Sequence, residues 1–116
     1  MTPGPELDAA VLRAIGYVKH DGAYYRKPCG YFWEYVPIST DPNGHEALRL
    51  CGPWLDEHTG TWGVNRAVNL ENGHKWCNAW ASVGTPLRMR HLEKQAATRA
   101  EAICRLVLAV AEREGA

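Results

Sequence analysis

Three observations in the sequence predict an α+β domain, an antiparallel sheet of about four to five strands with three helices, the N-terminal and C-terminal helices packed on it. Apolar residues fall at helical spacing near both ends of the chain. Two turn pairs, Asp21-Gly22 and Asn72-Gly73, each separate segments of strand character. The resulting order of helix, hairpin, helix, hairpin or three strands, helix suits an antiparallel sheet rather than a doubly wound parallel one. A chain of 116 residues is one domain over residues 1–116, because a single core organises about 100 to 150 residues.

From Glu6 to Ile15, Leu7, Val11, Ala14 and Ile15 share one helical face, Glu6 and Asp8 sit in the first turn, and Gly16 follows the end. Tyr17 to His20 and Ala23 to Arg26 then flank Asp21-Gly22 as a two-residue hairpin. Tyr31 to Val36 reads as a further strand or an aromatic loop before Pro37. Ser39, Thr40 and Asp41 are competent N-caps for a second helix that carries Ala47, Leu50 and Cys51 and stops at Gly52-Pro53.

From Trp54 to Val83 the pattern turns to period two. Taking Asn72-Gly73 as a two-residue turn, Asn65 faces Trp80, Ala67 faces Asn78 and Asn69 faces Trp76, with Trp62 continuing that side. The other face carries Val64, Arg66, Val68 and Leu70 with Ala81, Ala79, Cys77 and Lys75. Thr85 to Ala97 fits either a strand or a helix. The last helix is the best determined: Thr98 and Glu101 form a capping box, and Ala100, Ile103, Cys104, Val107, Val110 and Ala111 make a stripe at spacings of three and four.

Thirteen Lys plus Arg balance thirteen Asp plus Glu, which disfavours binding to extended nucleic acid through a basic surface. The same balance argues against mimicry of DNA, which needs a strongly acidic surface. No apolar stretch approaches the roughly 20 residues of a bilayer helix, and Met1 to Pro5 lacks the basic-then-apolar pattern of a leader. The expectation is a cytoplasmic protein without membrane contact. Cys29, Cys51, Cys77 and Cys104 lie more than twenty residues apart and read as reduced core cysteines.

No pair of motifs at zinc spacing accompanies Cys51 and His58 or His74 and Cys77, so neither a metal nor another cofactor is expected. No nucleophile turn, phosphate loop or HExxH helix is present. An enzyme would have to rest on a Cys such as Cys29 or Cys77 beside a His. The aromatic complement, five Trp and five Tyr but one Phe, favours rings with a polar handle. The candidate site for a ligand or partner is therefore Trp62, Asn65, Asn69, Trp76, Asn78 and Trp80, with Arg88 and Arg90 as phosphate contacts. Arg66, Lys75, His91 and Lys94 are further candidate cations. Tyr24, Tyr25, Tyr31, Phe32, Trp33 and Tyr35 form a second aromatic group.

Three segments resemble the phage alpha-beta-alpha sandwich domain of small bacteriophage and prophage proteins. They are Glu6-Leu7-Asp8-Ala9 with Val11 and Gly16, Ser39-Thr40-Asp41 before Ala47, and Ala102-Ile103-Cys104-Arg105. The Thr85 to Ala97 segment is longer than that pattern, and no large apolar residue follows Asp41 closely. The resemblance implies a viral origin and a fold, with no general activity. The expected function is a non-enzymatic binding protein acting in the infected bacterium against antiviral defence. Its partner is a sequestered nucleotide second messenger or, alternatively, a host defence or CRISPR effector protein, with homo-oligomerisation open.

Overall fold

The computed structural model describes residues 2–20, 23–26, 31–33 and 38–115, and the backbone alone of 18–20, 23–26, 31–33, 114 and 115. In chain order the elements are α1 (Pro5–Ala14), β1 (Tyr17–His20), β2 (Ala23–Arg26), β3 (Tyr31–Trp33), α2 (His45–His58), β4 (Thr61–Val68), β5 (Lys75–Thr85), β6 (Arg88–Ala96) and α3 (Arg99–Gly115). The strands form two antiparallel sheets of three, β1-β2-β3 and β4-β5-β6. One sheet of four to five strands is not what forms; the α+β class and its three helices stand.

Helix α1 starts at Pro5, where the fixed φ suits the first turn and no N–H is lost from the helix. Its Leu7, Val11 and Leu12 are buried, and so is Asp8. The Asp8 carboxylate accepts the Ser39 N–H at 2.6 Å, and the Ser39 hydroxyl accepts the Gly4 N–H at 2.9 Å. These bonds tie the start of α1 to the segment entering α2. Strands β1 and β2 pair as expected, from Tyr17 opposite Arg26 to His20 opposite Ala23, and β3 pairs with β2. The Asp21-Gly22 turn, Cys29 and Tyr35 lie outside the described residues, as do the side chains of Tyr24, Tyr25, Tyr31, Phe32 and Trp33.

Helix α2 differs from its sequence reading at both ends. It starts at His45 after Gly44 in the left-handed region. Asp41 acts from outside the helix, its carboxylate accepting the N–H of Glu46 at 2.9 Å and of Asn43 at 3.3 Å. Those donors, the Glu46 N–H foremost, hold the Asp41 carboxyl below its ordinary pKa. Gly52-Pro53 does not stop the helix, which runs on to His58. Proline has a helical φ, but inside a helix it forfeits its own N–H bond and its ring crowds the carbonyl four residues earlier, a cost of about 3 kcal/mol. Trp54 and Leu55, just beyond it, are buried and contribute about 1.5 to 3 kcal/mol each, enough to offset that loss. The helix closes where the Thr59 N–H and hydroxyl both donate to the Leu55 carbonyl, at 3.0 and 2.7 Å.

The β4–β5 connection is a four-residue loop, 70–73, instead of a two-residue turn. Asn69 donates its N–H to the His74 carbonyl at 2.8 Å, and Gly73 donates to the Asn69 carbonyl at 2.7 Å. Side chains shape the loop: the Asn69 amide oxygen accepts from the Glu71 N–H and the Asn72 amide oxygen from the His74 N–H, both at 2.9 Å. Gly73 has φ of 72°, the region that only glycine enters freely. Replacing it by Val is expected to cost about 1 kcal/mol, read as a lower denaturant midpoint at unchanged slope.

The longer loop shifts the register by two residues. Asn65 pairs with Asn78, Gly63 with Trp80 and Ala67 with Trp76. Because the shift is even, each residue keeps its face. Thr85 to Ala97, open from sequence, resolves as the turn Pro86-Leu87 followed by β6, paired from Thr85 opposite Arg88 to Cys77 opposite Ala96.

Helix α3 is the hub. It packs on β4, β5 and β6, while α1 and α2 pack on α3, α1 also meets β1, and α2 also meets β4. Of its expected stripe Ala100, Ile103, Cys104, Val107 and Val110 are buried, with Ala102 and Leu106 beside them, and Ala111 is partly buried. The capping box is half made. The Thr98 hydroxyl accepts the Glu101 N–H at 3.2 Å, while the Glu101 carboxylate pairs with Arg105 at 2.7 Å.

Candidate functional site

Strand β5 separates two chemically different faces. Cys77, Ala79, Ala81 and Val83 are buried against the helices, and Trp76, Asn78, Trp80 and Ser82 alternate with them on the other side, each half-buried. Small inward side chains let α3 approach the sheet closely. Among the described residues all three helices lie on that inner side, so the tryptophan-bearing face is left open.

Pairing across the sheet builds the open face in rows. Asn65, Asn78 and Gln95 form a row of three carboxamides, and the next row is Gly63, Trp80 and Glu93. Trp76 stands on the far side of the amide row, opposite Ala67. The Trp80 indole lies over Gly63, where a Cβ would sit 2.8 Å from its Cζ2, so the missing side chain on β4 makes room for the ring. Trp80 also stacks on His91 at 6.2 Å between centroids, and His91 pairs with Glu93 at 3.2 Å. Trp76 stacks on His74 at 5.6 Å. The Asn78 Oδ1 is buried with no hydrogen-bond partner among the described residues, an acceptor at the centre of the face.

Trp76 and Trp80 are four residues apart on one strand, a separation of about 13 Å. They cannot clasp one planar ring between them. Each offers a separate stacking surface, with the amide row between.

Several expected site residues lie elsewhere. Trp62 shares its parity with Val64 and Arg66, not with Asn65, and so falls on the inner face. There its indole N–H donates to Asp56 at 2.7 Å and packs against Gly52 of α2, where a Cβ would sit 3.7 Å from its Cζ2. Asn69 lies beyond the end of β4 at the edge of the loop, its side chain committed to the Glu71 N–H. Arg88 and Arg90 pair with Thr85 and Val83, which sets them on the inner-face parity at the sheet edge, away from Trp76 and Trp80. Val68, placed by sequence on the face with Cys77 and Ala79, is half-exposed, and Leu70 stands out in the loop. The residues that the sequence reading missed on the open face are Glu93 and Gln95, whose alternation with Lys94 was masked by the charged run around them.

Cys51, Cys77 and Cys104 are buried free thiols. Burial pushes the Cys51 pKa up to about 12, and raises that of Cys104 further, with Cys51 and Asp8 nearby adding to the rise. Both stay protonated at neutral pH. Among the described residues no three His, Cys, Asp or Glu side chains cluster as metal ligands, and no helix is long and apolar enough to cross a membrane.

Comparison of the chain with protein-family models, with curated proteins and with solved structures finds no match.

Proposed function

We propose that this protein is a small non-enzymatic binding protein whose ligand lies on the open face of the β4-β5-β6 sheet, stacking on Trp80 or Trp76 and reaching Asn65, Asn78 and Gln95. The observation that carries the reading is the Oδ1 of Asn78, without a hydrogen-bond partner among the described residues, between two half-buried indoles on a face that no helix covers. An amide row reads polar edges, and an adjacent ring supplies about 1 to 3 kcal/mol of stacking. A nucleotide presents both a flat ring and a polar edge. With the resemblance to phage sandwich domains, the reading becomes a phage protein that sequesters a nucleotide immune signal in the cytoplasm of an infected bacterium.

A second reading keeps the same face for a host defence protein or a second copy of the chain. Half-exposed Met89 shares the parity of His91, Glu93 and Gln95 and extends the face with the apolar surface that protein interfaces favour. Trp80 would then be the anchor.

Mass spectrometry of small molecules released by heat from the purified protein separates the two. A nucleotide supports sequestration; its absence, with a host protein held through the same face, supports docking. In calorimetry with cyclic dinucleotides, cyclic trinucleotides and ADP-ribose derivatives, Trp80→Ala is expected to weaken binding about tenfold to a hundredfold. Undiminished binding by folded Trp80→Ala removes the open face as the site.

A further inference from the structure

We propose that a separate anion site, suited to the phosphate of a nucleotide, lies in the cleft where the starts of α2 and α3 meet the end of the β4–β5 pair. The cleft has a volume of about 430 Å³ and is lined by Arg66, Lys75, Arg99 and His45, with Thr98 and Trp76 at its walls. This goes beyond the open-face reading: Arg66 and Lys75 have the inner-face parity of the strands, so the cleft takes a phosphate-bearing ligand of its own.

Charge carries the argument. No carboxylate lines the cleft, although acidic residues stand next to it in the chain. Each is committed elsewhere: Asp41 to the backbone N–H groups of Asn43 and Glu46, Glu46 to Arg49, and Glu101 to Arg105. Among the described residues Arg66, Lys75 and Arg99 have no acidic side chain within ion-pair distance. In a chain of net charge zero, three cations without counterions around one concavity make a local positive potential that a dianion satisfies.

The helices add to it in one way only. Both begin at the cleft and direct their positive ends there. However, the Glu46 and Glu101 N–H groups are already taken by Asp41 and Thr98, so the direct contacts fall to the cations. Arg66 and Arg99 can each meet phosphate oxygens through two N–H groups.

Trp76 lines the cleft, but its place on β5 gives it the parity of Asn78 and Trp80, opposite to that of Arg66 and Lys75. The cations therefore hold an anion on the helix side of the strand end, across the sheet from the indole row. Arg88 and Arg90 pair with Thr85 and Val83 at the other end of β5 and take no part in it.

The test is calorimetry of the full chain with AMP, inorganic phosphate and adenosine. AMP is expected to bind, inorganic phosphate more weakly, and adenosine at least tenfold more weakly than AMP. The double variant Arg66→Gln with Lys75→Gln, with wild-type melting, is expected to lose at least tenfold for both AMP and phosphate. Raising the salt is expected to weaken the wild type towards the variant. Trp80→Ala reports on the open-face reading independently. If it loses AMP binding while the double variant keeps it, the open face stands and the phosphate site falls. If the double variant loses binding while Trp80→Ala keeps it, the phosphate site stands without that end of the face. Equal affinity for adenosine and AMP, or no binding of AMP and phosphate at millimolar concentration, overturns the proposal.

Discussion

Ile103→Asp is expected to leave no cooperatively folded protein at room temperature. Ile103 is fully buried in the second turn of α3, in the cluster that joins this helix to α1, α2 and the inner face of β5. The substitution removes about 1.5 to 3 kcal/mol of apolar burial. It also places a carboxylate where it is either unpaired in the core or protonated at a cost of several kcal/mol. A domain of this size has only about 5 to 15 kcal/mol of stability in total. Circular dichroism on heating checks it: a sharp melt at the wild-type temperature would show that Ile103 does not face the core. Ile103→Val, which keeps the apolar contact, is expected to cost about 0.5 to 1.5 kcal/mol.

Gly84→Ala is expected to lower stability by about 2 to 4 kcal/mol, from backbone strain and direct overlap together. Gly84 has φ of 114°, and a Cβ there would overlap the carbonyl oxygen of Arg88 across the tight turn into β6. That oxygen is backbone, so no side-chain rotation relieves the clash. The turn sets the register of β6, and β6 supplies Leu92 to the core side and Glu93 and Gln95 to the open face. A fall in melting temperature of about 8 to 16 °C is expected. An unchanged melting temperature would mean that β5 and β6 do not approach there as closely as described.

Local chemistry made much of this protein legible. The stripe of α3, with spacings of three and four, needs no partner to be recognised, because helical periodicity is a property of the segment itself. The same holds for the two faces of β5. Strand alternation is strictly local, so Trp76 and Trp80 had to share a side whatever the register, and a loop two residues longer than expected left that unchanged. Trp62 was misplaced only by leaving that parity rule at one residue.

Tertiary structure decided what depends on distant partners. Whether α2 stops at Gly52-Pro53 turns on the core into which Trp54 and Leu55 are buried, and the backbone cost of Pro53 is visible locally while that gain is not. The length of the β4–β5 loop follows from hydrogen bonds of Asn69 and Asn72 that compete with the shorter Asn-Gly turn. The cleft gathers His45, Arg66, Lys75 and Arg99 from two helix starts and two strands; its charge exists only once Glu46 and Glu101 have taken arginine partners of their own. Sequence periodicity by itself determined which side chains share a face. Which face meets the helices, and which cations are left without a counterion, was decided by packing, because both depend on residues that come together only when the chain folds.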